Sequence, residues 1–341
     1  MNRTSLYFSD TNEIAVKTER IDAPGDRQVL VKSLISAISS GTEMLIYHGN
    51  VPQDMAIDTT LKDLTGNFVY PFKYGYSLVG RIIEIGSEID RSYLDRLVFA
   101  FHPHESHFIA DADDLIPLPH DLSPEDAVFL PNMETAINLL FDGKPLLGEK
   151  VVVFGQGIVG LLTTSLLRNF PLCTLITLDQ YELRRKLSLS LGADYSLNPF
   201  KKGFHADITA ILSESEYYKA ADLCFELSGN PYALDQAIHL TGLDGRIIIG
   251  SWYGKKRVDI NLGDTFHRNR IRLISSQVSN VSPEMSGRWT KKRRFDMAMR
   301  MIKKVKPNKF ITHKFDINKA DAAYELLNKY PENAIQVILT Y

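Results

Sequence analysis

The chain has only two cysteines among its 341 residues. Cys173 and Cys224 both sit in apolar runs, PLCTLITL and ADLCFEL. Two thiols cannot build a zinc site by themselves. So sparse a count also excludes a disulfide framework and fits a reducing cytoplasm. Both are expected to be buried small hydrophobes. Net charge is nearly absent too: 39 basic side chains face 41 acidic ones, leaving −2, with no general pull toward nucleic acid or an anionic membrane. The longest apolar stretch, VVVFGQGIVGLLTTSLL, is broken by three glycines and a glutamine. It reads as strand, turn and helix rather than a membrane span. The opening MNRTSLYFSD lacks the apolar core of a secretory signal, and neither repeats nor low-complexity tracts occur. A soluble, cytoplasmic protein is expected.

What is present is a chain too long for one ordinary core, so two domains are expected. Up to about residue 120 the sequence reads as short strands and loops: QVLVKSLISAIS, LVGRIIEIGS, RLVFAF and HFIADADDLIPLP. SPEDAVFL then announces a helix, with a serine cap, proline at the first position and acids in the first turn. From there apolar strands alternate with helices: EKVVVFG, TLITLD, ADLCFELSG and GRIIIGSW, with ELRRKLSLSLG and NPYALDQAIHLTG between them. That rhythm marks a parallel sheet with helical crossovers. KFITHKF and AIQVILTY, bracketing KADAAYELLNK, resemble the first half and are expected to return to it. The basic cluster RWTKKRR, running into FDMAMRMIKKVK, reads as the solvated face of an amphipathic helix.

VVVFGQGIVG sets Gly155, Gly157 and Gly160 in GxGxxG spacing. The first glycine makes the tight turn, the second lets the backbone approach a pyrophosphate, and the third allows close helix–strand packing. Ile158 and Val159 open the helix whose N–H groups and positive dipole end would face the phosphates. The next strand ends at Asp179, about 20 residues on, where a carboxylate accepts from ribose hydroxyls. Asp179 favours NAD over NADP, because a carboxylate repels a 2′-phosphate; Arg184 and Arg185 are expected to face solvent. Ser228, Gly229 and Gly250, the small residues at two further strand ends, are candidates for lining the dinucleotide channel.

In KYGYSLVG, Tyr76 and Ser77 stand between two glycines, followed by the strand-like RIIEIGS. SAISSGTEMLIYHG is similar to the GICGTDxHxxxG segment, and GYSLVGRIIEIGS to the GHExxGxVxxVG segment, of the medium-chain dehydrogenase/reductase superfamily. LSLGADYSLNP and KFITHKFDINKADAAYELL also resemble that family. The resemblance covers nearly the whole chain. It implies an α/β protein with a GroES-like β domain over residues 1–127, to which 306–341 return, and a Rossmann doubly wound parallel sheet over 128–305.

The departures from that pattern are as informative. The family's cysteine ligand of zinc matches Ser40, its relay histidine Leu45, its GHE histidine and glutamate Tyr76 and Ser77, and a further acidic ligand Pro131. The stretch LDRLVFAFHPHESHFIA has no cysteine lobe for a second, structural zinc. Zinc needs three or four N, S or O donors at about 2.0–2.3 Å, so no metal is expected. The resemblance also places Tyr76 and Ser77 at the mouth of the cofactor cleft, with Ser40 and Thr42 nearby. Tyr76 is the expected general acid, and Ser40 or Thr42 donates hydrogen bonds or relays a proton. Glu43 is expected to be structural, His102, His104 and His107 partly exposed, and Asn132 and Glu134 either cleft-lining or packing residues.

SSGTE with KYGYSLVG looks most like a zinc-free branch containing bacteriochlorophyllide a dehydrogenase-type proteins. The implied activity is zinc-independent, NAD(H)-dependent hydride transfer on an alcohol/ketone pair. Two alternatives stay open: a quinone- or enoyl-type C=C reductase, and a catalytically silent dinucleotide-binding protein. A homodimer through RIRLISSQVSN is implied, with a small-molecule substrate and neither nucleic acid nor membrane as partner.

Overall fold

The computed structural model describes residues 1–213 and 218–341. The chain divides into two compact units, Met1–Pro131 together with Met299–Tyr341, and Asn132–Ala298.

In the first unit, β1 (Asn2–Asp10) and β2 (Glu13–Arg20) form an antiparallel hairpin. The main sheet is built on β3 (Gln28–Ala37), which pairs antiparallel with β4 (Leu78–Ile85) and β6 (His107–Asp111). β5 (Leu97–Ala100) and β7 (Ile116–Pro117) extend it. Val29, Val31, Leu78, Ile82, Val98 and Phe108 form a core here. The short helix Thr42–Tyr47 follows β3 directly. The expected cap is present: the Ser123 hydroxyl accepts the Asp126 N–H at 3.1 Å. Its helix stops after Pro124–Ala127, and a longer one, Leu130–Gly143, follows.

The second unit is a six-stranded parallel sheet. Its strands are β8 (Lys150–Phe154), β9 (Thr174–Leu178), β10 (Tyr195–Leu197), β11 (Ala221–Glu226), β12 (Thr241–Ile249) and β13 (Arg272–Ser275). They lie in the order β10-β9-β8-β11-β12-β13, so chain direction across the sheet reverses between β8 and β11. Every residue of β8 and β9 is buried, as expected where helices cover both faces of a parallel sheet. Val152, Phe154 and Ile176 pack on one face, Val151, Val153 and Phe225 on the other.

The chain ends with β14 (Ile311–Asp316), the helix Ala320–Lys329 and β15 (Gln336–Thr340). β15 pairs antiparallel with β3, so these last strands do join the first unit's sheet. Among the described residues, no helix is long and apolar enough to cross a membrane.

One cysteine departs from expectation. Cys224 is buried, and burial pushes its thiol up to about 12. Cys173 is exposed, because the strand begins only at Thr174 and Cys173 still belongs to the turn before it.

Candidate active site

The glycine loop in the second unit is made by close backbone packing. Gly155 has φ +85°, and a Cβ there would lie 2.6 Å from the Ser228 Cα and 2.7 Å from the Leu227 carbonyl oxygen. A Cβ on Gly160 would lie 2.0 Å from the Gly155 carbonyl oxygen. No side chain fits at either place. Gly157 differs: nothing stands within 4 Å of its Cβ position. The backbone is therefore open on that side, directly before the helix Ile158–Leu167, as close approach of a phosphate requires. Ile158 and Val159 form that helix's first turn.

Asp179 follows β9 and is buried. Its Oδ2 accepts the Gln156 N–H at 2.7 Å and its Oδ1 the Tyr181 N–H at 2.8 Å. Each oxygen keeps a further lone pair for a hydroxyl. The two arginines do not face away into solvent. Arg184 stacks over the Tyr181 ring and brings Nη1 within 3.9 Å of the Asp179 carboxylate. Arg185 donates to the Asp179 and Gln180 carbonyls at 3.0 and 2.7 Å.

At the carboxyl end of β11, Ser228 donates its N–H to Glu226 at 2.8 Å, and its hydroxyl donates to the same carboxylate. Gly229, at φ +68°, donates to the Ser251 hydroxyl at 2.9 Å. Gly250 serves packing, since a Cβ there would lie 2.6 Å from Leu227 and 2.8 Å from Leu139. Sequence reasoning missed Glu226 and Tyr253. Glu226 is fully buried and accepts the Tyr253 O–H. Burial, then the Glu226 charge, pushes that phenol up. An acid closing the apolar strand ADLCFE was the available signal.

In the first unit, the Tyr76 O–H donates to the Ser39 hydroxyl at 2.6 Å. Burial raises the Tyr76 pKa, while hydrogen bonding to Ser39 and Thr42 pulls it the other way. The partner is thus Ser39 rather than its neighbour Ser40, which lies half-buried in the turn. The Ser77 hydroxyl is occupied, donating to the Val128 carbonyl.

Behind this pair, Glu43 is fully buried. Its Oε1 accepts the Ser39 N–H at 2.7 Å; its Oε2 accepts the Tyr324 O–H and lies 3.2 Å from His104 Nε2. His104 Nδ1 meets the Ser36 hydroxyl at 2.6 Å, and that hydroxyl meets the Tyr341 O–H at 2.7 Å. Gly75, at φ +127°, lets the chain pass over the His104 ring, from which a Cβ would be 2.9 Å.

The histidines of FHPHESHF are less exposed than expected. His104 and His102 are buried, and only His107 is half-exposed. His102 stacks on Phe108 and bridges Asp63 at 2.8 Å and Glu105 at 2.9 Å. Burial works against its charged form, but the two carboxylates win and raise its pKa. Burial likewise opposes the Glu105 charge, yet His102 and Lys73 hold that carboxyl down to about 2.

The positions matching the family's catalytic zinc ligands hold two hydroxyls, a phenol and a proline, with Ser77 and Tyr76 already bonded to protein. Among the described residues, no three His, Cys, Asp or Glu side chains gather in a way that could hold a metal ion. This donor set does not fit zinc.

Comparisons with known proteins bear on this geometry. Residues 159–292 match the family model described as "Zinc-binding dehydrogenase". The L-threonine 3-dehydrogenase of Pyrococcus furiosus is 23% identical over 339 residues, covering 85% of this chain and 92% of that protein. Among solved structures, a short chain alcohol dehydrogenase from Escherichia coli CFT073 complexed with NADH superposes with a TM-score of 0.79 at 18% identity, over 100% and 99% of the two chains. The 2R,3R-butanediol dehydrogenase of Bacillus subtilis reaches 0.77 at 17% identity, over 99% of each. This chain is an oxidoreductase with the fold of alcohol dehydrogenase-like proteins.

Proposed function

We propose that this oxidoreductase is zinc-independent and NAD(H)-dependent, and that it transfers a hydride between the nicotinamide and an alcohol/ketone substrate. The observation that carries the reading is the Asp179 carboxylate closing a glycine loop whose Gly157 side is open. Gly155, Gly157, Gly160 and the N–H groups of Ile158 and Val159 would hold the pyrophosphate, and Asp179 the ribose hydroxyls. Bound there, NAD(H) supplies or takes up the hydride. The donor set at Ser40, Tyr76, Ser77 and Pro131 supports the metal-free reading and the zinc-free branch, without that branch's pigment substrate.

Tyr76 serves as the general acid of carbonyl reduction. Burial favours its protonated form, so it holds a proton at neutral pH for the oxygen that becomes the hydroxyl. Ser39 accepts the phenol's hydrogen bond and orients it, and Thr42 stands beside it. In the oxidative direction the same proton returns to Tyr76.

A second reading, an NADPH-dependent C=C reductase, is favoured by one feature: Arg184 stands close enough to Asp179 to offset its charge toward a 2′-phosphate. A homodimer through the edge strand β13, a small-molecule substrate and a cytoplasmic location complete the proposal.

Titrating the purified protein with NADH and NADPH by fluorescence, with metal analysis of the same sample, tests it. Tight NADH binding without zinc is the expected result. Preferred NADPH moves the C=C reductase ahead, and stoichiometric zinc overturns the metal-free reading. Tyr76→Phe is then expected to lower turnover about 10²–10⁴-fold, the range of a lost general acid, with cofactor affinity unchanged. Cofactor binding without turnover on any carbonyl or activated C=C substrate would make the protein a silent dinucleotide binder.

A further inference from the structure

Arg294 lies in the basic run that reads as a solvated helix face, and its neighbours Lys291, Lys292 and Arg293 are exposed. Arg294 itself is 1% exposed. A guanidinium has five N–H donors in a fixed fork, and here there are five contacts. Nε and Nη2 both donate to Glu134 Oε1, at 3.0 and 2.9 Å. Nη1 donates to Asn138 Oδ1 and to the Asn280 carbonyl, the latter at 3.1 Å. Nη2 also donates to the Val278 carbonyl. Asn138 continues the network, donating at 3.0 Å to both Asp142 and Ser276, and the Ser276 hydroxyl donates to Asp142 at 2.7 Å.

The geometry has one evident object. Glu134, Asn138 and Asp142 recur every four residues, on one face of the helix Leu130–Gly143. Together with Arg294 they grip alternate residues of a single loop: Ser276, Val278 and Asn280. Burying an arginine is costly unless every donor is paired, and well-packed apolar residues would serve plain stability as well. Two of its contacts instead go to loop carbonyls, those of Val278 and Asn280.

That loop leaves the carboxyl end of β13. In an open parallel sheet of this order, ligands bind outside the carboxyl ends of the strands, one nucleotide on each half. β8, β9 and β10 form the half with Asp179; β11, β12 and β13 form the other. We propose that Arg294 is a positioning residue for the dinucleotide: by clamping residues 276–280 it shapes the seat of the nucleotide farther from Asp179. The inference rests on the NAD-binding reading above.

Arg294→Lys tests it, because an ammonium with three donors cannot span Glu134 and both carbonyls. The binding of NADH and of ADP is measured by titration, with amide hydrogen exchange over 276–280 and the thermal midpoint alongside. NADH is expected to bind about tenfold more weakly, on the scale of losing a charge-assisted hydrogen bond. ADP, which occupies only the Asp179 half, is expected to bind as before, and the loop amides to exchange faster. Ser276→Ala, a milder cut in the same network, is expected to move NADH about threefold in the same direction, a fraction of one hydrogen bond, and stands in if the lysine variant does not fold. Unchanged NADH affinity in the folded variants overturns the proposal. Equal loss of NADH and ADP also overturns it, since Arg294 would then act only through general stability. A wild-type protein that binds neither NADH nor NADPH overturns the NAD-binding reading instead.

Discussion

The glycine loop of the second unit and the polar cluster around Tyr76 in the first are built in two different ways. In the loop, backbone geometry does the work. Gly155 and Gly160 are required because a Cβ would collide with main-chain atoms, and Asp179 is held by two backbone N–H groups. In the cluster, side chains from distant parts of the chain do the work. Tyr324 reaches back to Glu43, Tyr341 to Ser36, and His104 sits between Ser36 and Glu43. A site built on the backbone leaves glycines at fixed short spacing. One built on long-range side-chain contacts leaves ordinary residues scattered over hundreds of positions.

The comparison can be broken at several points. Gly155→Val should have the largest effect. It places a branched side chain at φ +85° against the Ser228 main chain. NADH binding is expected to vanish, with stability lower by roughly 3 kcal/mol or more from strain and overpacking, read by titration and by urea unfolding. Glu43→Ala comes next, removing the acceptor for the Ser39 N–H and Tyr324 O–H and the neighbour of His104. Orphaned buried donors cost about 1–3 kcal/mol each, so urea unfolding should show a loss of about 3 kcal/mol while the isolated effect on NADH affinity stays small. If cofactor affinity fell as far as stability, the two regions would not be separable in the way described.

Asp179→Asn is smaller and sharper. It removes a charge that would repel a 2′-phosphate and leaves Arg184 in place. The ratio of NADPH to NADH affinity should rise about tenfold, near the worth of one surface-proximal charge interaction. An unchanged ratio would mean that Asp179 only ties the loop to Tyr181 and Gln156.

The smallest effect is in pH. Glu105 is lowered from 4.5 to about 2, so its contribution is present above pH 4.5 and is lost as pH falls from there toward 2. His102 is raised, so its contribution is present below its ordinary value of 6.5 and is lost as pH rises through its higher folded value. Stability from this cluster should therefore peak between these limits. Glu105→Gln should flatten the acid side of a plot of thermal midpoint against pH; an unchanged acid slope would assign it to other carboxylates.

Much of the fold was legible because its signals are local. Apolar strands alternating with helices, the serine cap at Ser123 and the glycine spacing each depend on residues a few positions apart. Misreadings fell where the environment is set from far away. Arg294 looks like its solvated neighbours until Glu134 and the 276–280 loop close over it. His102 and His104 look like surface histidines until Glu105 and Glu43 are brought against them. Cys173 shows the opposite error, an apolar run whose first residues remain in a turn.

By itself the sequence determined the parallel sheet, the glycine turn after β8 and the acid at the end of β9, because each follows from residue type at short, fixed spacing. Only the tertiary structure decided that Tyr76 is oriented by Ser39 rather than Ser40, that Ser77 is occupied, and that a buried arginine holds the loop after β13. Those outcomes depend on which polar groups meet once water is excluded, and burial makes pairing compulsory without saying in advance which partner will be there.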